Sequence, residues 1–179
     1  MGKNVLIITA SLRHNSNSDA LAAAFARGAK EAGNAVETVS LKGKAIGFCV
    51  GCLTCQKTQT CVIRDDAAAL AEKMKCADVL VFASPVYYYS VSGLLKTFLD
   101  RCNPIYPSDY AFRDVYFLAT AAEADESAMD GPVKAMEGWI DCFEKARLAG
   151  TVFGGGVDAP GEISGHGSLP KAYELGKRV

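Results

Sequence analysis

Hydrophobic and polar positions along the chain repeat with two periods that take turns. Val5-Leu6-Ile7-Ile8 is a continuous apolar run between polar residues, the pattern of a strand buried on both faces of a parallel sheet. Ala35 to Leu41 alternates instead, with Val36, Val39 and Leu41 set against Glu37, Thr38 and Ser40, as in a strand with one more exposed side. Val79 to Ala83, Val115 to Ala119 and Leu148 to Gly154 complete five predicted strands. Between them the period lengthens to that of a helix. Leu21, Phe25, Gly28 and Ala32 mark a helix over about 19–32, which Gly33-Asn34 ends. Asp65-Asp66 opens a second helix that runs to about Lys75. Leu94, Leu95, Phe98 and Leu99 mark a third, Val133, Met136, Ile140 and Phe143 a long fourth, and residues 168 to 178 a fifth. Residues 42 to 64 are irregular, and 103 to 113 form a loop containing Pro and Tyr.

Alternating strands and helices imply parallel βαβ units, and right-handed crossovers leave few ways to join them. The expectation is one domain over 1–179, an α/β chain folded as a three-layer α/β/α sandwich around a five-stranded parallel sheet of order 2-1-3-4-5. Chain direction reverses between strands 1 and 3, so a ligand belongs beyond the C-terminal ends of those strands. The two loops richest in chemistry, 9–18 and 84–92, follow those two strands.

The first loop reads Thr9-Ala10-Ser11-Leu12-Arg13-His14-Asn15-Ser16-Asn17-Ser18. A strand that runs through small polar residues into a helix start offers backbone N–H groups and the helix dipole to an anion, and Arg13 and the hydroxyls add side-chain donors. The plainer alternative is a polar connection with Ser18 as N-cap and Asp19 in the first turn. The second loop holds Pro85 and the consecutive tyrosines Tyr87, Tyr88 and Tyr89. Aromatics beside a cleft stack on flat rings, although one or two of the three are expected to pack in the core or a subunit contact. A ligand with a phosphate at one end and a flat ring at the other, such as flavin mononucleotide (FMN), fits both loops. No G-x-G-x-x-G occupies the first turn, and Gly154-Gly155-Gly156 after the fifth strand reads as a flexible turn.

Composition narrows the picture. Half of the 179 residues are apolar, 22% are charged and the net charge is −1, which argues against a nucleic-acid-binding face and against a strongly acidic electron shuttle. No window suits a membrane span, no signal peptide is evident, and seven cysteines then point to a reducing cytoplasm. Cys49, Cys52, Cys55 and Cys61 follow C-x2-C-x2-C-x5-C, similar to the compact ligation of a [4Fe–4S] cluster, whereas structural zinc normally uses two separated pairs. A buried thiol group packing as small hydrophobes, or a reversible disulfide, also accounts for them. Cys76, Cys102 and Cys142 read as bystander thiols, His14 and His166 as loop residues, and Asp100-Arg101 as an internal ion pair or subunit contact.

Ser11-x-Arg13-x-x-Ser16-Asn17-Ser18, the four-cysteine run, Cys61-Val62-Ile63-x-Asp65-Asp66, Ser84-Pro85-Val86-Tyr87 and Lys96-x-Phe98-x-Asp100-Arg101 together resemble the NADPH-dependent FMN reductase and iron–sulfur flavoprotein families of the flavodoxin-like fold. The matches run from residue 5 to about 120, and Gly161-Glu162-Ile163 to Gly176 resembles the C-terminal region of those families. The resemblance implies FMN phosphate on Ser11, Arg13, Ser16, Asn17 and Ser18. It implies the flavin ring against Pro85, Val86, Tyr87 and Tyr88, with Thr120 and Ala121 on the third loop. One departure is Ala10-Ser11-Leu12, where the family usually has Gly-Ser-Pro. A Cβ at residue 10 restricts a positive φ.

Three functions follow as expectations. In the first, a nicotinamide cofactor, NADH or NADPH, delivers hydride to flavin N5 and the electrons pass to a small acceptor such as free flavin or a quinone, with no protein acid or base required. The second is an electron-transfer protein carrying FMN and a [4Fe–4S] cluster on Cys49, Cys52, Cys55 and Cys61, fed by a ferredoxin-like donor. The third is a redox-sensing module that binds flavin without turnover. A homodimer or tetramer is expected, mainly from the resemblance, with loops 42–64 and 103–113 reaching toward a neighbouring subunit.

Overall fold

A computed structural model of the chain describes residues 2–179. β1 (Asn4–Thr9), β2 (Ala35–Ser40), β3 (Val79–Tyr87), β5 (Asp114–Thr120) and β6 (Arg147–Gly154) form a parallel sheet in the order β2-β1-β3-β5-β6. Counting only these long strands, that is the expected 2-1-3-4-5. The added β4 (Ser90–Val91) is a two-residue antiparallel return on the end of β3. Strand alternation divides the core. Val5, Ile7, Val79, Val81 and Leu118 face α1 (Asn17–Glu31) and α6 (Ser168–Lys177). Leu6, Ile8, Leu80, Phe82 and Phe117 face α3 (Asp66–Cys76), α4 (Gly93–Asp100) and α5 (Asp130–Ile140). Burial on both sides is why these strands carry no polar alternation.

Local chemistry sets the helix ends. Ser16 caps α1, its Oγ accepting the Asp19 N–H at 3.3 Å, so the cap lies two residues before Ser18, the cap of the plainer alternative. Asp65 caps α3 through the Ala67 N–H, and Ser92 caps α4 through the Leu95 N–H. The predicted long fourth helix stops at Ile140, and Phe143 packs from the turn beyond it. The irregular 42–64 stretch contains one short helix, α2 (Thr54–Thr58). Loop 103–113 is held inward: Tyr110 and Phe112 are buried against Phe143, and Phe112 also stacks on Trp139.

α1 and α6 cross at backbone contact distance. A Cβ at Gly28 would lie 2.0 Å from the Tyr173 carbonyl oxygen, and one at Gly176 would lie 2.2 Å from that of Phe25. Each glycine makes room for the other helix, which seats α6 against the second half of α1.

Candidate functional site

β3 does not stop before Pro85, as its sequence suggests; it continues through Pro85 to Tyr87. β1 ends first, at the Thr9–Ala83 pair, and the Ala10 N–H donates to the Ala83 carbonyl. Pro85 lies two residues further along the same strand edge, so its missing N–H leaves no ladder bond unmade. The chain then turns through Tyr88 and Tyr89, both left-handed (φ 49° and 55°), and returns as β4. A two-residue turn with both φ positive matches the twist of a hairpin, but it normally takes Asn-Gly. The Ser84 hydroxyl fastens the hairpin, donating to the Pro85 carbonyl and accepting the Ser92 N–H. None of the three tyrosines is buried: Tyr87 is 45%, Tyr88 102% and Tyr89 61% exposed, so of the two expected places, the core or a subunit contact, the core is corrected.

Below this hairpin, at the C-terminal ends of β1, β3 and β5, lies a cleft of about 540 Å³. Ser11, Arg13, Ser16, Asn17, Pro85, Val86, Tyr87, Tyr88, Thr120 and Ala121 all line it. Of the eleven residues the sequence assigns to a flavin site, Ser18 alone is absent from the lining; it is buried, with its Oγ 3.1 Å from that of Ser16. Ala122, Val157 and Asp158 also line the cleft, and no motif points to them. Among the described residues no protein acceptor takes the N–H groups of Ser16, Asn17 or Ser18, the first-turn donors available to an anion. Ala10 is accommodated without left-handed backbone. A larger cavity of about 610 Å³ lies along the β6 edge, between Glu126, Lys171, Glu174 and Arg178, away from the strand ends that carry the convergent polar loops.

The electrostatics of the cleft are mixed. Arg13 donates to the Asp158 carbonyl, with its Nη1 3.8 Å from Asp158 Oδ1. Burial raises the pKa of Asp19 above the ordinary carboxylate value, and the hydroxyls of Thr9 and Ser16 and the charge of Lys42 only partly offset this. Asp19 Oδ1 is buried without a hydrogen-bond partner.

The sequence profile of the family described as NADPH-dependent FMN reductase matches residues 3–153. The chain belongs to this family. It is an oxidoreductase of the flavodoxin-like fold. It is 32% identical over 175 residues to an iron–sulfur flavoprotein of Archaeoglobus fulgidus, a match covering 96% of this chain and 76% of that one. Its fold is similar to that of the NAD(P)H:quinone oxidoreductase of Methanothermobacter marburgensis (TM-score 0.73, 20% identity, 99% and 97% of the two chains). It is also similar to that of an FMN-dependent NADH-azoreductase of Bacillus anthracis in complex with FMN (TM-score 0.68, 13% identity, 99% of each chain).

In this family member the cysteine loop hangs on one buried side chain. Arg101 forks onto Asp65, Nη1 to Oδ2 at 2.6 Å and Nη2 to Oδ1 at 2.9 Å. It also donates to the carbonyls of Gly47 and Ile63 and to Cys61 Sγ. Asn103 Nδ2 donates to Cys55 Sγ at 3.3 Å. Cys55 is buried, Cys61 half-buried, and Cys49 and Cys52 are exposed. Among the described residues no three Cys, His, Asp or Glu side chains come together as metal ligands, so the spacing of the cysteines is not matched by a gathered ligand set. Hydrogen bonds from the Thr54 N–H and hydroxyl lower the pKa of the exposed Cys52 thiol. Cys102 is fully buried and burial pushes its thiol up, which makes it inert; Cys76 and Cys142 are exposed. Among the described residues no helix is long and apolar enough to cross a membrane.

Proposed function

We propose that the chain binds FMN in the cleft at the ends of β1, β3 and β5 and works as an NAD(P)H-dependent reductase of a small acceptor such as a flavin or quinone. One observation carries the reading: Ser16 and Asn17, with unpaired N–H groups at the start of α1, and the Pro85–Tyr88 rim line the same cleft, whose volume suits a mononucleotide. Ser11, Ser16 and the first-turn N–H groups hold the phosphate, and Arg13 balances its charge. Pro85 to Tyr88 and the Thr120–Ala121 loop, which line the rest of the cleft, would hold the ring. FMN held there would supply the redox chemistry between NAD(P)H and the acceptor. The protein orients the ring and excludes water; it needs no acid or base of its own.

The test is direct. Purified protein should carry flavin or take up added FMN, and should oxidise NADPH or NADH in the presence of a quinone or free flavin. Failure to bind FMN rejects the reading. Flavin binding without NAD(P)H oxidation by any acceptor favours a redox-sensing module instead.

A second reading is an iron–sulfur flavoprotein with a ferredoxin-like donor. It is supported by the C-x2-C-x2-C-x5-C spacing and by the name of the Archaeoglobus relative. Among the described residues the thiols as arranged do not form a ligand set. Iron and sulfide in anaerobically prepared protein, abolished by Cys52→Ala, would establish this reading. A metal-free, fully active preparation would reject it. The exposed aromatic rim fits completion of the site by a second copy of the chain in a dimer or tetramer, which sedimentation would show.

A further inference from the structure

After β6 the chain crosses the phosphate end of the cleft as the segment 157–163, and its fastenings include a residue the sequence assigns to the ligand. Asn17, in the first turn of α1, is buried. Its Oδ1 accepts the N–H groups of Gly161 at 3.0 Å and Ile163 at 3.3 Å, and its Nδ2 donates to the Ala159 carbonyl at 3.0 Å. Two backbone donors on one oxygen fix the orientation of the amide and occupy both its lone pairs. From the other side, Glu162 Oε2 accepts the N–H groups of Asp158 at 2.7 Å and Ala159 at 2.9 Å. These bonds lower the Glu162 pKa, that from Ala159 contributing most. Ile163 is buried in the core beneath α1 and α6. Gly161, left-handed at φ 84°, lies so close to Asn15 that a Cβ there would be 2.1 Å from Asn15 Nδ2. Val157 and Asp158 line the cleft, whereas Glu162 does not.

We infer that residues 157–163 are a clasp that closes the phosphate end of the cleft, and that Asn17 acts on a bound phosphate ester through this clasp, as a positioning residue. The inference rests on the FMN reading above. A segment already ordered by side chains at both its edges loses little entropy when a ligand arrives, so its ordering becomes binding affinity. The Asp158 carbonyl, carried on the clasp, takes one N–H of Arg13 and keeps that guanidinium at the cleft wall. Asn17 and Glu162 are thus two ends of one brace, although only Asn17 is near the ligand.

Glu162→Ala tests this, because it loosens the clasp from a side chain outside the cleft. Dissociation constants for FMN and for riboflavin, which lacks the phosphate, are measured for the wild type, Asn17→Ala, Glu162→Ala and the double variant. Amide hydrogen exchange of 157–163 is followed in the same proteins without ligand. The expected result is FMN binding weakened about tenfold in either single variant, with riboflavin binding nearly unchanged. The double variant should be little worse than the worse single one, because the two side chains serve one brace. Exchange in 157–163 should quicken in every variant. If Asn17→Ala does not fold, Glu162→Ala, with its exposed side chain, carries the same comparison of FMN with riboflavin. FMN binding by Glu162→Ala equal to that of the wild type would overturn the inference and leave Asn17 as a direct phosphate ligand. Unchanged exchange in 157–163 would also overturn it. A wild-type protein that binds neither flavin would overturn the FMN reading and this inference with it.

Discussion

Arg101 and Asp65 show what a single buried pair does here. The Arg101 side chain has no solvent exposure and that of Asp65 only 12%, so removing either strands the other away from water. Breaking such a pair costs about 3–5 kcal/mol, roughly 10 °C in Tm for a chain of this size. Asp65→Ala and Arg101→Ala are both expected to show that loss in thermal unfolding. Arg101→Lys should restore little of it, because an ammonium cannot reproduce the two-pronged contact. Acid gives an independent check. Burial pushes the Asp65 carboxyl up, but the hydrogen bonds from Arg101 and the N–H groups of Gly47 and Ala67 outweigh it and hold the pKa below the ordinary 3.8. A folded-state pKa that is lowered stabilises the protein above 3.8, and that contribution disappears as pH falls through the lowered value. Urea unfolding should therefore show wild type and Asp65→Asn far apart near neutrality and converging in acid. The sequence marks Asp100-Arg101 as an ion-pair candidate, but the two neighbours part company. Asp100 meets Lys96 on the surface at 2.7 Å, while Arg101 points inward to an Asp 36 positions away that reads only as a helix start. Separation along the chain hides such a pair from any local pattern.

Among the elements, the β3–β4 hairpin departs furthest from what its sequence suggests. Nothing in Tyr88-Tyr89 signals a two-residue turn, because the residues that favour positive φ are absent. Each tyrosine held in that region costs about 1 kcal/mol or more. Tyr88→Asn with Tyr89→Gly is therefore expected to raise the denaturation midpoint. If the rim serves the ligand, the same change lowers FMN affinity or acceptor turnover, and both are read in parallel. Helices α1 and α5 give a matched pair of tests. Gly138→Ala puts a methyl where no heavy atom lies within 4 Å, and helix propensity should stabilise α5 by about 0.5–1 kcal/mol. Gly28→Ala drives its methyl into the Tyr173 carbonyl and should cost about 1–3 kcal/mol as α6 is pushed away. The periodicity that places Gly28 on the buried face of α1 is legible in sequence; the helix that crosses it there is not.

At the scale of the whole molecule, the strand order and the position of the cleft follow from two local facts, the alternation of periods and the hand of βαβ crossovers. The clasp does not follow from them. It depends on where the chain returns after β6, more than 140 positions beyond the loop it covers, and its anchor Asn17 looks in sequence like any other donor of that loop. The cysteine loop is the converse: a legible spacing whose side chains are not brought together. Because the cleft joins the first loop of the chain to a segment near its end, ligand binding should stabilise the whole fold and not one loop. FMN at a hundred times its dissociation constant should add about 2.7 kcal/mol, a rise of roughly 5–10 °C in Tm. Trp139 is the single tryptophan and lies in the aromatic cluster with Phe82, Phe112 and Phe143, on the opposite side of the sheet from α1. Its fluorescence and far-UV circular dichroism should therefore report the same FMN-dependent shift. If the two probes separate, with Trp139 melting at the ligand-free temperature, the cleft unfolds on its own and the coupling across the sheet is absent.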